Sequence, residues 1–303
     1  MGELPGIFLN VITPVFLLVG LGYVAGPRLN LEARTLSRVV YYLFIPAYVF
    51  RAINLAQVDL TVVARMAVAA TVTHLACAVL GFLAAWLLKR PREIVAAYML
   101  IAIFGNVGNF GLPLLQFRFP NEPQAQTISA VYFLVILTVS FVVGVAAAHF
   151  AKGGAFTAVV AVFKIPALLA APPALLINGF GWELPPVLAR PLDLLGAAMI
   201  PVMIVSLGVQ LAEAGRPRVT RDVVFASAIR LIGGPLLAVM LAAGLGLSGL
   251  ERSIGIVQAA MPTAVLASVI ALENELAPDF VITSVLFSTL LSLLTLTIVL
   301  TLV

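Results

Sequence analysis

The sequence predicts an all-α integral membrane protein with ten transmembrane helices. Of its 303 residues, 62% are apolar and 10% are charged, whereas soluble domains are about half apolar and about a quarter charged. The apolar runs are continuous, as in membrane-spanning helices, and do not alternate as in a transmembrane β-barrel. At roughly 20 residues per span, this length accommodates about ten spans with short connections and leaves nothing for a separate soluble domain.

We number the predicted spans as segments 1 to 10. The first apolar run has no basic residues before it, so we interpret it as a retained helix and not as a cleaved signal peptide. Glycine, proline and basic clusters mark the connections between segments. The predicted bounds are 7–25, 36–54, 63–88, 93–117, 125–150, 157–178, 188–212, 222–247, 253–273 and 279–303.

Three features recur five segments apart, which predicts two five-helix repeats at about 1–151 and 155–303. The paired features are Pro46 and Pro201, Gly105–Pro113 and Met261–Thr263, and His74 and Arg230. An odd number of helices per repeat gives the two halves opposite orientations. Interrupted helices at matching positions of inverted repeats indicate a substrate site at the bilayer midplane. The alternative is that prolines are simply common in membrane helices.

The distribution of positive charge predicts the orientation in the membrane. Connections after odd-numbered segments hold ten Lys and Arg residues and the others hold five, while Lys164 and Arg230 lie inside spans. Because cytoplasmic loops are enriched in these residues, we expect a multi-pass protein of the cell inner (plasma) membrane with both termini outside. The net charge of +4 therefore reflects topology and gives no reason to expect nucleic-acid binding.

Segment 4 contains the stretch most unlike a lipid-facing helix, Phe104–Pro113, with three glycines, two asparagines and one proline. Glycine and proline weaken helices, and the freed backbone groups must then be enclosed by protein or line a cavity. Asn106 and Asn109 are the leading candidates for substrate contact, since each amide offers donors and an acceptor. The same amides could instead satisfy the freed backbone groups.

Two half-helix ends are predicted to meet at the midplane and favour an anion. Gly108 and Gly111 allow close backbone approach, and Pro113 suits the first turn of a second half-helix. Pro262 and Thr263 are predicted to do the same in segment 9. Helix N-termini carry partial positive charge and free N–H groups, so this arrangement binds an anion without a formal charge.

Two ionisable residues lie deep within spans. Arg230 in segment 8 is a candidate partner for a substrate carboxylate, or alternatively a clamp on helix-end carbonyls. His74 in segment 3 is a candidate proton relay, although a lone membrane histidine is more often hydrogen-bonded between helices. We expect Lys164 to extend towards the cytoplasmic interface.

Signatures of enzymes and metal proteins are missing from the sequence. It has no H-E-x-x-H, G-x-S-x-G or Walker motif, and its single cysteine excludes an intrachain disulfide. With two histidines in the chain, a histidine-rich metal site is not expected. We therefore predict no enzymatic activity, no cofactor and no metal.

Three stretches resemble the auxin efflux carrier family, which includes the plant auxin carriers and bacterial proteins described as malonate or malate transporters. They are Gly105–Pro113, Met261–Val265 and Ser288–Thr295. The resemblance covers essentially the whole chain. The plant carriers insert a long hydrophilic loop between the halves, whereas this chain has only about 151–156 there, so it is similar to compact bacterial members.

The resemblance implies a fold similar to bile-acid symporters and sodium–proton antiporters. Segments 1, 2, 6 and 7 would form a scaffold, and segments 3–5 and 8–10 a mobile transport domain with crossed breaks in segments 4 and 9. An elevator-like motion and a homodimer through the scaffold are also implied. Asn106 resembles the family asparagine that meets the substrate carboxylate, while Thr263 replaces a larger polar residue of the plant carriers, which argues against an aromatic auxin as substrate.

The function predicted from these features is secondary transport of small organic anions, mono- or dicarboxylates such as malonate or malate. A second carboxylate would suit Arg230. The alternative on the same fold is a sodium-coupled symporter of the bile-acid type, which the scarcity of mid-span acidic residues disfavours. The alternatives of another class are an intramembrane enzyme and a sensor.

Overall fold

The computed structural model describes residues 4–54, 59–152, 166–213 and 218–303, and these residues are helical apart from short connections. Seven helices within those ranges are long and apolar enough to cross a membrane. The prediction of an all-α, multi-pass membrane protein is therefore confirmed. The start of segment 6, with Lys164, and the basic residue Arg216 lie outside the described residues.

In the part of the chain that the structure describes, twelve helices, α1 to α12, correspond to the predicted segments in chain order. Segments 4 and 9 each appear as two helices, namely α4 with α5 and α10 with α11. The helices are α1 (Pro5–Arg28), α2 (Ala33–Asn54), α3 (Leu60–Leu87), α4 (Arg92–Ile103), α5 (a π-helical turn at Val107–Gly111 followed by Leu112–Arg118), α6 (Pro123–Lys152), α7 (Pro166–Gly179), α8 (Pro186–Glu213), α9 (Arg221–Gly244), α10 (Gly249–Ala259), α11 (Val265–Glu273) and α12 (Pro278–Leu302).

The seven long helices do not include the two interrupted segments, 4 and 9, or the shorter helix α7. Ten spans arranged as two inverted repeats thus remain a prediction.

Wide π-helical turns in the described residues all precede a proline by two residues. A proline ring clashes with the carbonyl four residues earlier and lacks an N–H, and a wider turn relieves that clash inside a continuous helix. The four turns, Phe8–Ile12, Val40–Phe44, Val107–Gly111 and Ile229–Gly233, precede Pro14, Pro46, Pro113 and Pro235. The proline predicted inside segment 2 is therefore accommodated without ending α2.

The helices pack as two groups. In the first, α1 and α2 lie against α8, and α2 also lies against α7. In the second, α3, α4 and α6 pack together and against α9, α10 and α12. The groups meet where α2 contacts α6, where α1 contacts α12 and where α5 contacts α1 and α8. This grouping follows the division into scaffold and transport domain that the family resemblance implies, and the domain assignment itself stays a prediction.

Close backbone contact joins α1 to α8 in the first group. A Cβ atom on Gly22 would lie 2.1 Å from the carbonyl oxygen of Val205, and one on Gly208 would lie 2.0 Å from that of Val19. Small residues at such contacts allow membrane helices to approach closely, where dispersion forces replace the hydrophobic effect as the source of stability.

Substituting Gly22 by alanine is therefore expected to lower the thermal unfolding temperature of the purified protein. The added methyl group meets backbone, which cannot rotate away, so α1 and α8 must separate, and overpacking of this kind costs roughly 1–3 kcal/mol. Gly20→Ala is the matched control, because a Cβ there has no atom within 4 Å. Equal unfolding temperatures for the two variants would show that this contact does not stabilise the fold.

Candidate functional site

The break in segment 4 covers three residues between α4 and α5. After Ile103 the backbone leaves helical geometry, with φ −78° and ψ 78° at Phe104 and φ −77° and ψ 49° at Asn106. Helical structure resumes at Val107 as the wide turn described above. Pro113 is the second residue of the regular helix that follows, and this first-turn position is the one predicted from the sequence.

The break in segment 9 lies between α10 and α11. The first helix ends at Ala259, and Met261, Pro262 and Thr263 follow without helical structure. Ala264 is extended, with φ −73° and ψ 145°, before α11 begins. The interruption therefore falls at the Met-Pro-Thr stretch that the sequence indicated.

These two breaks cross each other through their backbones. Gly105 and Thr263 form an isolated antiparallel bridge. In an antiparallel bridge the two backbones run in opposite directions, so the two breaks pass each other in opposite directions where they meet. Its hydrogen bonds run from Asn106 N to Pro262 O (2.7 Å) and from Ala264 N to Phe104 O (2.6 Å).

Glycine is favoured at position 105 because the crossing is crowded. A Cβ atom there would lie 3.0 Å from Nη2 of Arg230 and 3.0 Å from Cε1 of His74. Both neighbours are fully buried side chains that are hydrogen-bonded in place. Any larger residue would push them away from the crossing.

Thr263 holds the crossing together through both its side chain and its backbone. Its hydroxyl donates a hydrogen bond to the Ile101 carbonyl (3.1 Å), and its N–H donates to Oγ of Ser288 on α12 (3.1 Å). The fully buried threonine therefore ties α4 to the break in segment 9 and the break to α12.

Arg230 is fully buried, and three of its nitrogen atoms donate to carbonyl oxygens at the crossing. The acceptors are Met261 O (2.9 Å from Nε), Ala102 O (2.9 Å from Nη1) and Ala259 O (2.5 Å from Nη2). Of the two partners considered from the sequence, a substrate carboxylate or helix-end carbonyls, these contacts favour the carbonyls.

His74 completes the same clamp. Its Nδ1 lies 2.8 Å from Ile103 O, and its Nε2 lies 3.1 Å from the Tyr132 hydroxyl. Since a carbonyl only accepts, Nδ1 carries the proton and Nε2 accepts from the tyrosine. Nη1 of Arg230, 3.4 Å from Nδ1, then faces another donor, so that approach is a contact and not a hydrogen bond. Both ring nitrogens of His74 thus have partners in this structure, and its role as a proton relay stays a prediction.

Two buried amide side chains at the crossing have atoms without a hydrogen-bond partner. Asn106, at 3% exposure, leaves Nδ2 unpaired, and Gln258, at 0% exposure, leaves both amide atoms unpaired. A buried polar group without a partner costs roughly 1–3 kcal/mol, so such groups are uncommon and often functional. Because Asn106 directly precedes α5 and Gln258 lies in the last turn of α10, both amides belong to the crossing.

The remaining predicted site residues, Gly108, Asn109 and Gly111, lie in the first turn of α5. Asn109 is half-buried in the wide turn. A Cβ atom on Gly111 would lie 2.1 Å from Oε1 of Gln258, so that glycine makes room for the unpaired amide. A Cβ atom on Gly108 would lie 2.7 Å from the Phe133 ring. These two glycines allow α5 to approach α10 and α6 closely.

Electrostatically, the crossing separates two kinds of helix ends. The carbonyl ends of α4 and α10 meet the positive charge of Arg230. The N-terminal ends of α5 and α11 begin just after the two bridge residues in the chain, and the first N–H groups of a helix have no partner within it. Each end carries a partial positive charge of about 0.5. This half of the crossing therefore favours a negatively charged ligand.

Comparison with known sequences identifies the family. A family model described as membrane transport protein matches residues 7–300, nearly the whole chain. The chain belongs to the auxin efflux carrier family. As a member, it is a multi-pass membrane transporter, which favours transport over the intramembrane-enzyme and sensor alternatives.

Similar members of the auxin efflux carrier family come from archaea and plants. An uncharacterized transporter of Methanothermobacter thermautotrophicus is 28% identical, with 95% of each chain aligned. Another from Methanocaldococcus jannaschii is 27% identical, over 94% of this chain and 96% of its own. Auxin efflux carrier component 1 of Arabidopsis thaliana is 32% identical over 120 residues, which are 38% of this chain and 19% of the plant protein.

Residue Gln258 is the main member of the site that sequence reasoning did not select. It is one of four glutamines within the predicted spans, and nothing in the sequence distinguishes it from Gln210, which donates to Ser37 and Ser206 in this carrier. A usable signal was its position four residues before Pro262, at the end of a helix that was predicted to break. Ser288 begins one of the stretches that resemble the family, but its hydrogen bond to the break is evident only from the structure.

Proposed function

We propose that this carrier is a secondary transporter of small organic anions, mono- or dicarboxylates such as malonate or malate, with the substrate bound at the crossing of segments 4 and 9. One observation carries the proposal: the fully enclosed crossing presents an unpaired amide donor, Nδ2 of Asn106, beside the N-terminal end of α5. An unpaired donor next to a positive helix end is complementary to a carboxylate.

Gln258 adds a second amide to the proposed site. Its Nε2 supplies a donor and its Oε1 an acceptor, which suits a ligand that carries both a carboxylate and a hydroxyl or a second polar group. Apart from Arg230, which is bound to carbonyls, the site relies on neutral donors, so it holds an anion without the desolvation cost of an additional buried cation.

An elevator-like motion is the proposed route across the membrane. The crossing belongs to the group formed by α3–α6 and α9–α12, while α1, α2, α7 and α8 form the other group. Sliding the first group against the second would expose the site to each side in turn. The proposal includes the orientation with both termini outside the plasma membrane and a homodimer through the group of α1, α2, α7 and α8.

Asn106→Ala is expected to reduce carboxylate uptake into proteoliposomes by roughly ten- to hundredfold, since hydrogen bonds to charged groups contribute roughly 1.5–3 kcal/mol. Radiolabelled malonate, malate and acetate would be tested as substrates. The variant removes a donor that has no protein partner, so its unfolding temperature should not fall.

Asn10→Ala is the matched control, because Asn10 is an exposed asparagine in α1. It should transport like the wild type. Undiminished uptake by Asn106→Ala would remove the site from the crossing, and a wild-type protein that carries none of the carboxylates would overturn the proposed substrate class.

A further inference from the structure

The carbonyl side of the crossing has the composition of a cation site. Three backbone oxygens, from Ala102, Ala259 and Met261, converge there at the ends of two half-helices. Unwound carbonyls and half-helix C-termini are the groups that hold Na⁺ or protons in transporters built on broken helices. Carbonyl oxygens are also the ligands that hard cations prefer.

The charge at this position is already balanced by the protein. Each helix C-terminus is equivalent to about −0.5 of an elementary charge, so the ends of α4 and α10 together amount to about −1. One guanidinium neutralises them, and its three hydrogen bonds distribute that charge over both ends. In the described residues no three His, Cys, Asp or Glu side chains come together as a metal site, so the carbonyls and Arg230 dominate here.

Close packing fixes Arg230 at this position. A Cβ atom on Gly234, one turn further along α9, would lie 2.3 Å from the same Ala259 carbonyl oxygen, so α9 lies directly against the end of α10. The guanidinium is fully buried, and its contact with Gly105 leaves no space between it and the bridge.

We infer that Arg230 is a tethered cation that occupies the place of a free coupling cation, so that this carrier works without Na⁺ and a truncated side chain at position 230 opens a monovalent-cation site. The inference rests on the proposed transport function for its statement about coupling. Its statement about cation binding depends only on the carbonyl cluster.

The test measures thermal unfolding of the purified wild type, Arg230→Ala and Arg230→Met in choline chloride, with millimolar guanidinium, NaCl or KCl added. We expect Arg230→Ala to unfold at a lower temperature than the wild type and to recover, in a saturable manner, with guanidinium or one of the metal ions. Arg230→Met fills the space with an apolar chain, so it should not recover. The wild type should not respond.

Two outcomes would overturn the inference. One is an Arg230→Ala protein that gains no more from any of these cations than the wild type does. The other is wild-type transport that requires Na⁺ and fails in choline. If Arg230→Ala does not fold in any of these cations, Arg230→Lys is compared with Arg230→Met instead. An unfolding temperature of Arg230→Lys no higher than that of Arg230→Met would overturn the inference, because it would show that the carbonyls do not require a positive charge.

Failure of the inference and failure of the proposed function are distinguishable in this design. Unfolding temperatures report on the cation site whether or not carboxylates are transported. Carboxylate uptake in choline reports on the function, and a carrier inactive towards every carboxylate would leave the cation-binding result intact.

Discussion

Replacing Gln258 by methionine is expected to reduce carboxylate transport at least tenfold while leaving the unfolding temperature unchanged or higher. Both amide atoms are buried without partners, and removing such a group relieves a penalty of roughly 1–3 kcal/mol. Methionine has a similar length and the flexibility to pack beside Gly111. If the Gln258 amide serves to bind the substrate, the methionine variant gains stability and loses transport.

Gln210→Met should behave in the opposite way. Nε2 of Gln210 donates to the hydroxyls of Ser37 and Ser206 where α8 meets α2. Methionine removes both bonds, so the unfolding temperature should fall while uptake per folded molecule persists. Differential scanning fluorimetry and initial uptake rates measure both quantities on each variant. A Gln258→Met protein that transports normally would exclude this glutamine from the site.

The positions of the two breaks could be predicted from sequence because their causes are local. Gly105, Pro113 and Pro262 disturb helix geometry wherever they occur, and asparagine in an apolar run signals a polar requirement at that place. The beginning of α5 at Val107 could not be predicted, because the residue just before it is held out of helical geometry by a backbone hydrogen bond to the distant Pro262.

Partners of the buried polar residues could not be predicted, because they are distant in sequence. Arg230 donates to a carbonyl 128 positions earlier, and His74 meets a tyrosine 58 positions later. A pattern identifies each as an unusual polar residue within a span. Only the relative placement of α3, α4, α9 and α10 determines that Arg230 serves the helix ends.

A disulfide between the two helix groups is expected to stop transport completely. Oγ1 of Thr127 on α6 lies 3.4 Å from the Ala52 carbonyl oxygen on α2, so the two helices are in contact at the positions chosen for the cysteine pair. Cys77 is the single native cysteine, and Cys77→Ala provides the background. Oxidising Ala52→Cys with Thr127→Cys should bring uptake to the level of empty liposomes, and reduction should restore it.

The decisive comparison is a crosslink placed within one group. A Cβ atom on Gly196 would lie 3.3 Å from Cα of Tyr48, and both residues belong to the group of α1, α2, α7 and α8. Tyr48→Cys with Gly196→Cys should therefore transport equally well when oxidised and reduced, because neither helix moves relative to the other in the proposed cycle. Transport that survives complete oxidation of the pair between groups would exclude sliding of one group against the other, since a covalent bond across the contact forbids that motion.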